Sequence, residues 1–92
     1  MNQLEKLKMT VLTDVDAERI RQDKLWGIQR HDINKWLGIL AEEFGEVAQA
    51  INGLNFPKDA KETDSDNLYE ELIQVAAVAV AIAEQILEEK SN

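Results

Sequence analysis

An all-α fold is expected from three observations. Helix breakers are scarce, with 4 Gly and 1 Pro in 92 residues, while alanine, leucine, glutamate and lysine are abundant. Apolar residues recur at spacings near the helical period through most of the chain. Two stretches carry the same 4, 3, 4, 3, 4 spacing of apolar positions, the signature of helices packed along a seam. The expected architecture is a helical hairpin that assembles with a second copy into an intersubunit four-helix bundle.

The first element runs from about Gln3 to Trp26, with Leu4, Leu7, Val11, Val15, Gln22 and Trp26 near helical spacing. Gly27 follows its last residue, where a helix end favours glycine. Thr13 and Asp14 are both good helix caps, so the pattern also admits a break near them. The second element starts after Asp32 as N-cap and carries Ile33, Leu37, Leu40, Phe44, Val47 and Ile51. Between Asn52 and Asn67 stand Gly53, Asn55, Pro57 and many charges, which make a connection, with Ser65 or Asp66 capping the next helix.

The third element carries Leu68, Leu72, Val75, Ala79, Ile82 and Ile86. Two seams joined by a short connection predict an antiparallel hairpin. Ile73, Ala76, Ala77, Val78, Val80 and Ala81 make this helix apolar beyond its seam. A helix apolar on several sides is buried on several sides. It is then either the centre of a monomeric three-helix bundle or, as favoured here, part of a homodimer or homotetramer.

The length suits one domain over residues 1–92, and a chain this short has little core of its own. Without cysteine there are no disulfides and no thiolate zinc site. Ten Lys and Arg against 18 Asp and Glu give a net charge of −8, which opposes binding to nucleic-acid phosphates. Met1 is followed by Asn2-Gln3-Leu4-Glu5-Lys6 rather than a basic stretch and an apolar run, so no signal peptide is expected. The low-charge stretch Leu72 to Ala83 is too short to span a bilayer. The expectation is a cytoplasmic protein with no membrane and no nucleic-acid partner.

Setting the two seams in one heptad frame aligns their carboxylates. Glu42, Glu43 and Glu46 occupy f, g and c when Leu37, Phe44 and Ile51 are a; Glu70, Glu71 and Gln74 do the same against Leu72, Ala79 and Ile86. Glu43 with Glu46, and Glu71 with Gln74, are helix neighbours able to grip one ion. The nearest basic residue before the first triplet is Lys35. Such uncompensated pairs cost a helix about 0.2–0.5 kcal/mol each. A hard divalent cation would remove that cost through oxygen ligands. One acidic triplet alone would read as a solvated face, but its repetition in phase beside an apolar seam favours the ion.

Glu42-Glu43-x-x-Glu46 followed by Glu71-x-x-Gln74 resembles the acidic pattern of MazG-like nucleoside triphosphate pyrophosphohydrolases. Upstream, Glu18-Arg19-x-Arg21-Gln22-Asp23-x-x-Trp26-Gly27-x-Gln29-x-His31 is similar to the segment before the first acidic helix in a phage- and integron-type branch. Downstream, Glu70-Glu71-Leu72-Ile73-Gln74-Val75-Ala76-Ala77-Val78-Ala79 is similar to that branch's second acidic helix. The resemblance covers roughly Val15 to Leu87. It implies a dimeric or tetrameric all-α bundle that hydrolyses a nucleoside triphosphate, a deoxynucleotide in this branch, to monophosphate and pyrophosphate. It further implies Mg²⁺, with Mn²⁺ as a substitute, held by Glu43, Glu46 and Glu71, with Glu42 orienting water. The family's last ligand is usually aspartate; Gln74 stands in its place and brings an amide oxygen without charge.

By the same resemblance Gln22, Trp26, Gln29 and His31 fall to the substrate, Trp26 as a stacking platform. The residues themselves leave Trp26 equally a plug at the helix-to-loop corner, and His31 a turn residue. Trp36 reads as core or interface. Arg19, Arg21, Lys24 and Arg30 form the basic neighbourhood, and Lys58 and Lys61 lie in the connection; all either touch phosphate or balance the acidic surface. Two rival readings remain: a non-catalytic helical interaction module, and a nucleotide binder that lost turnover through Gln74.

Overall fold

The computed structural model describes residues 1–55 and 64–92, and within them it is entirely helical. Three helices follow in order: α1 (Gln3–Trp26), α2 (Ile33–Asn55) and α3 (Asp64–Ser91). Pro57, Lys58 and Lys61 of the expected connection lie outside the described residues. Helix α1 is continuous through Thr13 and Asp14, so no break occurs there. The Asn2 side chain caps it by accepting from the Glu5 N–H at 2.8 Å. It ends at Gly27, whose φ of 74° is favoured by the lack of a Cβ and whose N–H closes on the Asp23 carbonyl at 2.9 Å.

Asp32 caps α2 as expected: its carboxylate accepts from the Lys35 N–H at 3.0 Å and its carbonyl from the Trp36 N–H at 3.1 Å. Helix α3 already runs from Asp64, so Ser65 and Asp66 lie inside it rather than capping it. At the other end α3 runs to Ser91, and Glu88 pairs with Arg30 at 2.6 Å.

Helices α1 and α2 each pack on α3, and among the described residues they do not pack on each other. The core is Trp36, Val78 and Ala81, with Ile39, Leu40 and Ile82 packed around it. This face is rotated from the one the heptad frame predicts. Leu37 and Phe44, at a positions, are 64% and 67% exposed, whereas Trp36, at g, is 2% exposed. Leu72, Ala79 and Ile86, the a positions of α3, are also exposed, and Ala77, Val78 and Ala81 are buried in their place.

The reason for the rotation is Trp36. Its bulk fits against the small Ala81, and its indole N–H finds an acceptor in buried Gln85 Oε1 at 2.8 Å. Gln85 also accepts from the His31 N–H at 3.0 Å and donates to the His31 carbonyl at 2.6 Å, fixing the entry to α2. The apolar surface beyond the α3 seam is thus largely covered within one chain. The a-position side chains of both helices are the ones left facing out.

Candidate metal and nucleotide site

The rotation decides where the carboxylates go. With the g positions turned inward, Glu43 of α2 meets Glu71 of α3, and the exposed Glu46 closes on them from the edge of the packing face. One carboxylate oxygen from each lies within 4.8 Å of the others. Glu43 Oε2 and Glu71 Oε2 are buried with no hydrogen-bond partner. Leaving such atoms unsatisfied is costly, about 1–3 kcal/mol each and more for a charged group.

Burial, first, and then the charges of Glu46, Glu42 and Glu18 raise the Glu43 carboxyl above the usual carboxylate range. Glu71 is pushed up to about 7, by burial first and then by a hydrogen bond to Glu46 and the charges of Glu46, Glu43 and Glu70. Two carboxyls sharing a hydrogen bond need a proton between them, or a cation in its stead. Three convergent carboxylate oxygens, from residues two of which also bury an oxygen without a partner, form a donor set that fits a hard divalent cation such as Mg²⁺ or Mn²⁺.

Because α1 and α2 do not touch, a cavity of about 400 Å³ opens between them over α3. Glu43, Glu46 and Gln74 border it on the acidic side, Gln22, Trp26 and Gln29 on the other, and Trp36, Ile39, Val78 and Ala81 supply apolar floor. The size falls within the range of small-molecule sites. Trp26 is 59% exposed at the rim, with the Arg21 guanidinium carbon 5.8 Å from its ring centroid.

No protein-family model, curated protein or solved structure matches this chain.

Of the residues singled out from sequence, Glu43, Glu46, Gln74, Gln22, Trp26 and Gln29 line this one cavity. Glu71 joins through its contact with Glu43 and Glu46. Glu42 and His31 do not line it. Glu42 is exposed. His31 lies edge-on to Trp36, with ring centroids 4.9 Å apart, and bonds through Nε2 to Gln29 Oε1 at 3.2 Å. It reaches the cavity only through Gln29.

Sequence reasoning left Glu18 and Arg19 without a defined place. Glu18 lines the cavity and holds Arg21 by two 2.7 Å bonds, which draws its carboxyl below the usual range. Its spacing of 4 to Gln22 and 8 to Trp26 puts all three on one face of α1, a signal present in the sequence. Arg19 is buried and bridges α1 to α3 through Glu84 at 2.8 Å. Nothing local marked it, because Glu84 is 65 residues away.

Proposed function

We propose that this chain is a Mg²⁺-dependent nucleoside triphosphate pyrophosphohydrolase, with Mn²⁺ as a substitute, that clears unwanted (deoxy)nucleotides from the cellular pool. The observation that carries the reading is the Glu43–Glu46–Glu71 cluster beside a nucleotide-sized cavity with an exposed tryptophan at its rim. Glu43, Glu46 and Glu71 hold the cation, and the Gln74 amide oxygen adds a neutral donor. A bound divalent cation supplies neutralisation of the triphosphate and polarisation of its phosphoryl oxygens.

The chain's own groups do the rest. Gln22, Trp26 and Gln29 receive the base, and His31 orients Gln29. Trp36, Ile39, Val78 and Ala81 keep water from the inner wall. Glu42 is exposed outside the cavity, beside Glu43, which favours outer-shell support of that ligand over orienting the attacking water. Hydrolysis between the α and β phosphates gives the monophosphate and pyrophosphate.

The exposed a-position side chains, Leu37, Phe44, Ile51, Leu72 and Ile86, support a homodimer or homotetramer built on that face. No helix among the described residues is long and apolar enough to cross a membrane, in keeping with a cytoplasmic role. A nucleotide binder without turnover is the second reading, favoured by the missing charge at Gln74.

The test is pyrophosphate release from a panel of ribo- and deoxynucleoside triphosphates, with Mg²⁺ and with EDTA. Mg²⁺-dependent release with monophosphate as co-product is expected. Nucleotide binding without release would move the chain to the second reading. Neither binding nor release would leave the helical interaction module.

A further inference from the structure

We infer that Arg21 contacts the phosphates of the nucleotide beyond the first, with Glu18 as the positioning residue that holds it there. The inference deepens the nucleotide reading and rests on it. Among the described residues two cationic side chains line the cavity, Arg19 and Arg21. A guanidinium has five N–H donors. Arg19 uses all of them within the fold: Nε and Nη2 on Glu84, Nη1 and Nη2 on Asp23, and Nη1 again on Gln22. It has no donor left for a ligand.

Arg21 spends only Nε and Nη2, both on Glu18 at 2.7 Å. Its Nη1 makes no hydrogen bond to any described residue, and the side chain is 49% exposed. Glu18 is anchored, with a side chain 11% exposed and a further 3.1 Å bond from Gln22 Nε2. The two parallel bonds therefore fix the guanidinium plane beside the Trp26 ring rather than leaving a loose surface cation.

The carboxylates around the cavity make this cationic edge useful to a polyanion. Once a divalent ion engages Glu43, Glu46 and Glu71, a polyphosphate still faces the carboxylates of Glu18 and Asp23 across the cavity. Asp23 shares Arg19 with Glu84, at 3.1 and 2.8 Å. Glu18 is matched by Arg21 alone, whose free edge is what the polyanion meets.

The experiment is calorimetric binding, with Mg²⁺ present, of an α,β-imido nucleoside triphosphate and of the matching monophosphate. Wild type, Arg21→Gln, Arg21→Lys, Glu18→Gln and the double variant Arg21→Gln/Glu18→Gln are compared. Arg21→Gln is expected to weaken the triphosphate analogue about tenfold or more, as loss of a charge-assisted contact does. Monophosphate affinity and the Mg²⁺-induced rise in melting temperature should hold, and Arg21→Lys should recover part of the loss. Glu18→Gln should weaken the analogue less, and the double variant no more than Arg21→Gln alone, since the two act as one unit.

An equal loss for both ligands would put Arg21 on the base and overturn the inference, as would unchanged affinity. If wild type binds neither ligand, the nucleotide reading itself falls. If wild type binds both yet releases no pyrophosphate from the natural triphosphates, the reaction falls and the Arg21 inference is still decided by the same titrations.

Discussion

Glu43 of α2 and Glu71 of α3 each bury one carboxylate oxygen without a partner, and one oxygen of each lies with one of Glu46 inside 4.8 Å. In the cation-free chain this is a repulsive, under-solvated arrangement. Replacing either residue by Gln removes a charge from it. Glu43→Gln and Glu71→Gln should therefore raise the melting temperature in EDTA, by roughly 4–8 °C for each 1 kcal/mol relieved. They should also abolish the rise on adding Mg²⁺ that selective binding to the folded state produces. Thermal melts with EDTA and with Mg²⁺ decide it; an undiminished Mg²⁺ response in both variants would remove these residues from the ligand set.

The helices, the Asn2-to-Gly27 limits of α1 and the Asp32 cap were legible because each depends on neighbours within one turn. The acidic phase was legible for the same reason, since Glu43 with Glu46 and Glu71 with Gln74 are each three apart on one helix. Which face turned inward was not. A heptad pattern reports where apolar residues lie, and α2 carries its apolar residues at a and d, with Trp36 at g beside them. Packing chose g over a because Trp36 has both a small-residue site at Ala81 and a polar partner in Gln85, 49 residues away. The cavity follows from α1 lying apart from α2, a tertiary fact that no local spacing encodes.

The same carboxylates set the pH dependence of the cation-free protein. The folded-state value of Glu71, about 7, lies above its ordinary 4.5, and Glu43 shifts the same way. The stability Glu71 contributes is full below about 4.5 and lost as the pH rises through about 7, and the Glu43 contribution is lost in the same direction. Glu18 and Glu84 are drawn down by Arg21 and Arg19, so their contribution is full above 4.5 and lost as the pH falls through their folded values. In EDTA the stability should thus fall between about pH 4.5 and 7, by an amount on the order of 1–3 kcal/mol, read as a falling melting temperature. Glu71→Gln should flatten that slope, and an unchanged slope would place the titration elsewhere.

Arg19 ties α1 to α3. Its side chain is 9% exposed, while Glu84 and Asp23, its partners, are 42% and 38% exposed. Truncation leaves partners that water can reach, so the loss is smaller than for a fully buried pair. Arg19→Met should destabilise the chain by about 1–3 kcal/mol. Helix α1 should loosen first, because its residues from Met1 to Thr13 are all exposed and Arg19 is its one buried residue. Amide exchange in α1 that quickens ahead of α2 is the expected signature; uniform quickening across all three helices would make Arg19 part of a single cooperative core instead.

Gln74 borders the cavity one helical turn beyond Glu71, where it offers an oxygen without charge. Gln74→Asp adds a fourth carboxylate to a cluster that already repels itself. In EDTA the variant should melt lower than wild type, by about 0.5–1 kcal/mol of stability, as like charges on one helix face do. With Mg²⁺ the order should reverse, because the added charge strengthens attraction for the ion, and a tenfold gain in affinity corresponds to about 1.4 kcal/mol. Calorimetric titration of Mg²⁺ into both proteins measures this directly. Weaker binding by the aspartate variant would mean that the amide at position 74 serves the fold or the nucleotide rather than the cation.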